Sequence, residues 1–342
     1  MKIAGRPIGP GHPTYIIAEL GVNHDGSAQR ALELIDVARR CGADAVKFQY
    51  FEPARLLSRS AVLAAYQEAG GADDPFAMLS ALTLDLVELR TLCAHAHFVG
   101  LHAIVTVFSV ELVTPAVEMA WDAFKVASPD LVNLPLINAL RDTCRPIIIS
   151  TGAATLNEVE RTVEHLRAVE ALAVMQCVSA YPTPEEHASL GGIHALRESC
   201  GRPVGYSDHT SGIDTGGFAV AAGACMIEKH LTHDRHASGP DHAASLDPDG
   251  FAEYVSVIRR AERMMGRYAK TVLDVEQDVR LVSRQSVTLR QDRPAGHVLE
   301  AGDLTVQRPG RGIPAWEMDA LIGRTLVRPV EAGTLLAPED LD

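Results

Sequence analysis

The chain has 342 residues, of which 47% are hydrophobic, and its 31 basic against 44 acidic residues give a net charge of −13. Nucleic acids and anionic membrane surfaces need clustered Lys and Arg. This acidic chain has no basic run, so we expect neither as a partner. No apolar run reaches the ~18 residues of a membrane span, and the N-terminal stretch carries Pro and Gly where a signal peptide needs an apolar core.

Six cysteines are spread along the chain without a CxxC pair. Their spacing excludes a zinc ribbon or a disulfide scaffold and favours reduced thiols of a cytoplasmic protein. Lysine is rare, because only five of the 31 basic residues are lysines, and the position of each is therefore informative: Lys2, Lys47, Lys125, Lys229 and Lys270.

From residue 15 to about 228, short apolar runs alternate with longer amphipathic stretches. The stretch 28–42 has one apolar helical face and ends in glycine, and 155–167 opens with the capping-box pair Thr155 and Glu158. The predicted strands are 15–19, 44–48, 102–108, 122–128, 146–150, 173–179, 203–207 and 225–229. Eight strand-plus-helix units predict an α/β fold, a closed (β/α)8 TIM barrel, with a doubly wound open sheet as the alternative.

The pattern changes after a helix predicted near 249–268. Residues 271–283 are charged and irregular, and we interpret them as a linker. The segment 284–342, punctuated by Gly and Pro, predicts a small β-rich module that is too short to be stable without docking on something. We therefore assign the barrel to 1–270. Its second connection, 50–83, is long enough to cover the barrel mouth.

TIM-barrel enzymes carry their chemistry at the C-terminal ends of the strands. In this sequence those ends are polar, although packing alone needs no polar group there. The ring of carboxylates, cations, hydroxyls and imidazoles predicts a polar, anion-binding active site at the barrel mouth. The ring consists of Glu19, Lys47, Gln49, Thr106, Lys125, Ser128, Ser150, Thr151, Gly152, Tyr181, Ser207, Asp208, His209, Glu228 and His230.

Two lysines of the ring, Lys47 and Lys125, suit a phosphate or carboxylate substrate, because ammonium groups neutralise and orient anions. The alternative is that each lysine only pairs with a carboxylate of the barrel. Glu19 is open between a general acid and the salt-bridge partner of a lysine. By strand alternation Lys229 points away from the mouth, so we expect it in a salt bridge beneath the helices.

His209 and His230 end two strands that are neighbours in the predicted barrel, so their imidazoles can meet over its mouth. Two neutral imidazoles suit a catalytic divalent metal ion, and the alternative is a pair of hydrogen-bonded core histidines. Three further histidines, His233, His236 and His242, lie in a loop rich in Gly, Pro and Asp. We expect these three to be solvated or part of a lid.

Several motifs, in order over nearly the whole chain, resemble those of one family. They are IIAELGVNHDGS (16–27), GADAVKFQ (42–49), FKVASPDLVNLPLI (124–137), IIISTGAATLNEV (147–159), YPTP (181–184), GYSDHTSG (205–212), EKHLTHD (228–234), GPDHAASLDP (239–248) and RPGRGI (308–313). The chain resembles the sialic acid (N-acetylneuraminate) synthases and their legionaminic and pseudaminic acid relatives. Its C-terminal module resembles the antifreeze-like (SAF) domain of that family.

The resemblance implies that phosphoenolpyruvate condenses with an N-acetylated aldose, such as N-acetylmannosamine, to give a nine-carbon 2-keto acid and phosphate by C–O cleavage. It implies Mn²⁺, or another divalent ion such as Mg²⁺ or Co²⁺, on His209 and His230, and an acid/base role for Glu19. Arg308 matches an arginine that reaches into the partner subunit's site, which implies a domain-swapped homodimer. The positions that match phosphoenolpyruvate binding are Lys47, Thr106, Lys125, Ser128, Ser150 and Ser207, and those around the sugar and the metal are Tyr181 and Asp241.

Two positions depart from the family pattern. Asp130 stands where the best-known synthases carry Glu, and Ser179 where they carry Asn, and both positions face the sugar in the family. The acceptor is therefore open between an N-acetylmannosamine-like aldose and a 2,4-diacetamido hexose. Two other classes remain as hypotheses: a Schiff-base keto-acid aldolase using Lys47 or Lys125, and a carbohydrate-binding or assembly module on an inert barrel.

Overall fold

The fold, taken from a computed structural model, is described for residues 1–64, 67–68, 71–266 and 269–342. The chain forms two compact units, Met1–Gly266 and Arg267–Asp342. None of the helices formed by the described residues has the length and apolar content that a membrane span requires.

The first unit is built around eight parallel strands that close into a barrel. Each strand pairs with the next along the chain, and the last pairs with the first, with His230 opposite Glu19. This closed ring confirms the TIM barrel and excludes the open sheet. A short antiparallel hairpin, β1 (Lys2–Ile3) with β2 (Arg6–Pro7), precedes the barrel. The barrel strands are β3 (Tyr15–Glu19), β4 (Ala45–Tyr50), β5 (His102–Val107), β6 (Ala123–Val126), β7 (Ile147–Ser150), β8 (Leu172–Cys177), β9 (Val204–Asp208) and β10 (Met226–His230).

Helices cover the outside of the barrel, and their ends follow from local sequence. The first begins after Ser27, whose hydroxyl accepts a hydrogen bond from the Arg30 N–H, and ends at Gly42, whose φ of 89° is free of strain only for glycine. Thr155 and Glu158 form the predicted capping box. The described α-helices of this unit include Ala28–Cys41, Pro53–Leu56, Pro75–Ala81, Leu86–Phe98, Val113–Val117, Leu134–Arg141, Leu156–His165, Gly191–Cys200, Thr215–Ala221 and Pro248–Met265.

The long connection 50–83 contains two of these helices and packs on loops at the mouth. Its Leu82 joins a small apolar cluster with Val22 and Phe51, against which Phe108 also packs. Residues 65–66 and 69–70 of this connection lie outside the described residues, as do residues 267–268 of the helix that we predicted near 249–268.

The interior of the barrel changes character along its axis. Alternate residues of each strand point inwards, and the lower layers are apolar, with buried residues such as Tyr15, Ile17, Ile104 and Ile148. Nearest the C-terminal ends of the strands, the inward residues are polar and buried: Glu19, Lys47, Thr106, Lys125, Ser150, Ser207, Glu228 and His230. The apolar layers therefore form a floor, and the polar layer is placed above it.

The second unit is a small module with its own core. It starts with a 3-10 turn, Asp274–Glu276, and a short helix, Gln277–Ser283, within the segment that we expected to be irregular. Strands β11 (Ser286–Leu289) and β12 (Leu304–Gln307) pair antiparallel, and isolated bridges and 3-10 turns complete the module. Its buried core includes Val287, Leu289, Leu299, Leu304, Leu326, Leu336 and Leu341.

Candidate active site

A cavity of about 200 Å³ opens at the C-terminal end of the barrel, where the polar layer ends. Every barrel strand or the loop that follows it contributes to its wall. It is lined by Glu19, Lys47, Gln49, Thr106, Phe108, Lys125, Ala127, Ser128, Pro129, Ser150, Cys177, Tyr181, Ser207, His209, Glu228, His230 and Asp241. The structure therefore brings together most of the side chains that the sequence analysis placed at the C-terminal ends of the strands.

Two lysines and two carboxylates form an ionic cluster on the cavity floor. The Nζ atom of Lys47 lies 2.8 Å from Glu19 Oε2 and 2.9 Å from Glu228 Oε1. The Nζ atom of Lys125 lies 3.6 Å from the same Glu228 oxygen and donates to the Ser150 hydroxyl at 2.6 Å. Ser207 also donates to Glu228 Oε1, at 2.8 Å. Glu19 is therefore a salt-bridge partner of a lysine and also part of the cavity wall.

Burial and charge oppose each other in this cluster. Burial lowers the pKa of Lys47 to about 7, although the charge of Glu228 acts in the opposite direction. For Glu228, burial alone would raise the pKa, but Lys125 and Lys47 together hold it well below its usual range. Glu228 is therefore ionised, and it is the counter-charge that keeps both lysines compatible with a buried site.

Several buried polar atoms around the cavity are left without partners. Among the described residues, neither Glu228 Oε2 nor His230 Nδ1 has a hydrogen bond within the protein. Such atoms are rare in folded proteins, because each one costs about 1–3 kcal/mol. A group bound in the cavity would supply partners for both atoms.

The imidazoles of His209 and His230 face each other over the cavity, with ring centroids 5.6 Å apart. His209 Nδ1 lies 2.8 Å from the Val178 carbonyl oxygen, so its Nε2 is the nitrogen turned to the cavity. Burial lowers the pKa of His209 to about 4 and that of His230 well below its usual range. Both rings are therefore neutral near pH 7, the form in which imidazole binds metal ions.

Tyr181 and Asp241 complete the wall on the histidine side. The Tyr181 ring packs on His209 with centroids 4.2 Å apart. Asp241 Oδ2 lies 3.7 Å from His230 Nδ1, and burial raises the pKa of Asp241 to about 6. Two neutral imidazoles, one with an unpartnered nitrogen beside a carboxylate, fit part of a divalent metal site. No three His, Cys, Asp or Glu side chains in the described ranges surround one metal position, so substrate or water oxygens would have to complete the ligand set.

The Gly152 turn lies beside the hydroxyl of Ser128. The Gly152 N–H donates to Ser128 Oγ at 3.0 Å, and Cys177 Sγ lies 3.2 Å from the same oxygen. A Cβ atom on Gly152 would clash with the Ser179 hydroxyl. Any larger residue at this position would therefore have to displace the Ser179 and Ser128 hydroxyls from the backbone turn.

Two of the residues that the resemblance placed at the sugar, Ser179 and Asp130, are not among those that line the cavity. Ser179 is exposed behind Gly152, and Asp130 is partly buried and accepts a hydrogen bond from Asn133 Nδ2 at 2.9 Å. Burial raises the pKa of Asp130. Arg308 is exposed on the second unit, and its predicted role toward a partner subunit stays a prediction.

Two expectations about individual residues have clear outcomes. Lys229 points away from the cavity and pairs with Asp208 at 3.3 Å, as the alternation predicted. His233 and His236 are exposed, as expected of solvated residues, whereas His242 is buried and therefore not solvated. His242 is buried because its ring nitrogens lie 2.7 Å from Thr232 Oγ1 and 2.8 Å from Asp25 Oδ1, which ties two loops together.

The main omission of the sequence argument is Glu228, which received no role. Its signal was present, because in the run Glu228–Lys229–His230 alternation turns the first and third residues inwards. Cys177 also lines the cavity and was not singled out, although it lies two residues beyond an inward position of its strand; Gln49, which stands in the same relation to Lys47, was in the predicted ring.

Comparisons with known proteins identify the family and the C-terminal domain. Residues 34–270 match the NeuB family, and residues 284–342 match the SAF domain. The N,N'-diacetyllegionaminic acid synthase of Legionella pneumophila is 35% identical over all of this chain and 98% of its own length. The N-acetylneuraminate-9-phosphate synthase of Homo sapiens is 31% identical over 99% of this chain and 95% of its own.

A crystal structure of N-acetylneuraminic acid (sialic acid) synthetase from Leptospira borgpetersenii serovar Hardjo-bovis, in complex with citrate, has the same fold. It superposes with a TM-score of 0.75 at 30% identity, covering 82% of this chain and 94% of that one. The sequence match spans both units, and the chain therefore belongs to the NeuB family, with a SAF domain at its C-terminal end.

Proposed function

We propose that this protein condenses phosphoenolpyruvate with an N-acetylated aldose to give a sialic-acid-like nonulosonic acid and phosphate. The observation that carries the proposal is the buried cluster of Lys47 and Lys125 with their hydroxyl neighbours, at the mouth of a barrel whose relatives are synthases of sialic, legionaminic and pseudaminic acids. The cluster offers cations and hydrogen-bond donors to an anion at the place where this fold performs chemistry.

Phosphoenolpyruvate carries a phosphate and a carboxylate, and the cavity floor offers groups for both. Lys47 and Lys125 supply charge, and the hydroxyls of Thr106, Ser128, Ser150 and Ser207 supply directional donors. Since the two carboxylates already neutralise the two lysines, the anion binds by competing with Glu19 and Glu228 for the same ammonium groups.

The reaction forms one carbon–carbon bond and replaces the phosphate oxygen on C2 by a water oxygen. C3 of phosphoenolpyruvate attacks the aldehyde carbon, whose oxygen takes up a proton. Water adds to C2 and loses one proton to give a C2 hydroxyl. The C2–O bond to phosphate then breaks, and the hydroxyl proton goes to the departing phosphate as C2 becomes the keto carbon. Glu19 lines the cavity and contacts Lys47 and Gln49, which supports a role for its carboxylate in moving the proton of the attacking water.

His209 and His230 are the residues that would hold a divalent ion, Mn²⁺ or a similar one, with Asp241 beside them. When bound, such an ion supplies Lewis-acid polarisation of the aldehyde carbonyl. Tyr181 packs against His209 and holds that ring, while its own ring forms the cavity wall nearest the sugar.

The acceptor is an N-acetylmannosamine-like aldose in this proposal, with a 2,4-diacetamido hexose as the alternative. Asp130 and Ser179 support the alternative, because they replace a larger carboxylate and an amide of the family pattern. The N,N'-diacetyllegionaminic acid synthases among the relatives, 35% and 36% identical, add to this support.

We further propose a domain-swapped homodimer in which Arg308 of the SAF domain reaches the partner's cavity. The support is its match to the family position and its exposure on the second unit. All six cysteines are free thiols, which supports a reducing, cytoplasmic location.

A product assay tests the reaction. Phosphoenolpyruvate is incubated with N-acetyl hexosamines, their 6-phosphates and 2,4-diacetamido hexoses, and the product is identified by mass. We expect one acceptor to give a nonulosonic acid with equimolar phosphate, which EDTA abolishes and Mn²⁺ restores. Activity that survives exhaustive chelation would refute the metal dependence. Borohydride trapping of a keto acid on Lys47 or Lys125 would establish the Schiff-base alternative.

A further inference from the structure

A second ionic cluster lies on the outer face of the last two barrel strands, directly behind the histidines. This outer cluster consists of Asp208, Thr210, Lys229 and Tyr254. All four are buried, and the two charged side chains are 0% exposed. The cavity chemistry proposed above uses none of them.

Within the outer cluster, the Lys229 ammonium group and both Asp208 carboxylate oxygens have polar partners. Lys229 Nζ lies 3.3 Å from Asp208 Oδ2 and donates to the Thr210 carbonyl oxygen. The Tyr254 hydroxyl, from the last barrel helix, donates to Asp208 Oδ2 at 2.7 Å. The Thr210 N–H and hydroxyl both donate to Asp208 Oδ1 at 2.8 Å.

Three residues of the outer cluster are direct neighbours of the two histidines in the sequence. Asp208 precedes His209 and Thr210 follows it, while Lys229 precedes His230. Lys229 and Asp208 are register partners across β10 and β9. Lys229 therefore contacts both neighbours of His209, Asp208 and Thr210. It links them to β10, the strand that carries His230.

Stability alone does not explain a pair of charges at this depth. Desolvation of a buried ion pair costs several kcal/mol, and apolar residues of similar volume commonly pack there as stably or better. The best-supported use of such a pair is to fix one register. A slip of one residue between β9 and β10 would turn an imidazole from the cavity to the helices.

We propose that the outer cluster is a positioning device for His209 and His230, which sets the separation and orientation of the two rings. Asp208, Lys229 and Tyr254 act through the backbone of the two strands and touch no substrate. The proposal rests on the proposed function only in that a divalent ion serves as the probe of the histidines.

The test compares three variants of the full-length protein with a matched control. Tyr254→Phe removes one hydrogen bond and buries no unpaired charge, while Asp208→Asn and Lys229→Met break the ion pair. The control is Arg259→Met, which breaks the ion pairs of Arg259 with Asp44 and Glu262 at the opposite end of the barrel. Mn²⁺ affinity is measured by electron paramagnetic resonance, and the Co²⁺ absorption spectrum reports ligand geometry.

We expect Mn²⁺ to bind about 10–100-fold more weakly to Asp208→Asn and Lys229→Met, the range for residues that orient metal ligands. Tyr254→Phe should lose a few-fold and show an altered Co²⁺ spectrum, whereas Arg259→Met should keep wild-type affinity and spectrum. If every variant that folds matches the control in affinity and spectrum, the proposal is overturned.

Metal-free crystal structures give a readout that does not depend on the probe. In these, the separation of the two rings should depart from that of the wild type in Lys229→Met or Tyr254→Phe and be kept in Arg259→Met. Unchanged rings in both outer-cluster variants would overturn the positioning role. If the wild type binds neither Mn²⁺ nor Co²⁺, the metal part of the proposed function fails, and the ring positions alone decide this inference.

Discussion

The two ends of the barrel each carry a cluster of charged side chains, but the clusters are completed differently. At the N-terminal end, Asp44 accepts from Arg6 at 2.6 Å, from Arg259 at 2.9 Å and from the Ile16 N–H at 2.9 Å. Both of its carboxylate oxygens are occupied. At the C-terminal end, Glu228 Oε2 is buried without a partner, beside a cavity of about 200 Å³.

The difference separates a cluster that satisfies its own hydrogen bonds from one that, in the proposed function, a substrate completes. A closed network of charges satisfies its own hydrogen bonds and stabilises one conformation. An open network keeps buried groups unsatisfied, which lowers stability and is tolerated where a substrate completes it. Charge and burial alone do not distinguish the two ionic clusters, whereas the unpartnered carboxylate oxygen of Glu228 does.

Removal of a cation from the open end should have the largest effect. Lys47→Met is expected to lower kcat/KM for phosphoenolpyruvate by about 10³-fold, because one preorganised charge opposite the substrate anion is lost. Phosphate release measures this effect. Lys2→Met is the matched control, since Lys2 is exposed, and equal activities of the two variants would contradict the assignment.

The pH dependence of kcat/KM tests whether the charge of Lys47 is needed. The pKa of Lys47 is lowered to about 7, so its charge is present below that pH and is lost as the pH rises through it. Since kcat/KM reports the free enzyme, it should fall by up to about 10-fold per pH unit above pH 7. A profile that is flat from pH 7 to 9, at saturating metal, would show that Lys47 keeps its proton throughout.

Glu228→Gln should shift the fall of kcat/KM with pH. The charge of Glu228 raises the pKa of Lys47, so its loss shifts the decline to lower pH. A shift of about one unit, equivalent to ~1.4 kcal/mol, would reduce kcat/KM about 10-fold at pH 8. Glu262→Gln, at the closed end, should leave the profile in place, and an equal shift in both variants would argue against a local cause.

The smallest effect on activity is expected at the closed end. Arg259→Met leaves Asp44 and the Thr14 carbonyl each without one donor. The free energy of unfolding should fall by about 1–3 kcal/mol, as measured by urea denaturation, while kcat/KM stays within two-fold of wild type by rough expectation. A large loss of activity in a stably folded Arg259→Met would erase the contrast between the two ends.

Much of the fold was predictable because barrel strands and helices leave periodic signals. Gly42 and the pair Thr155 and Glu158 marked helix ends by local backbone chemistry, which the tertiary structure does not alter. The long connection and the segment 271–283 were less predictable. The short helix Gln277–Ser283 shows that charged sequence without a clear apolar period can still be helical.

The sequence by itself determined which residues stand at the ends of the strands, and alternation along each strand determined which of them point inwards. These two rules act within a few residues of the chain. They were enough to place the two cavity lysines and the two histidines at the mouth and to turn Lys229 outwards. The tertiary structure alone decided which inward residues meet. Closure of the ring placed β10 beside β3, so that Glu228, about 200 residues from Lys47 and Glu19 in the chain, became the counter-charge of both lysines. His242, which the loop sequence left with the solvated residues, became buried because the same closure brought Asp25 to it.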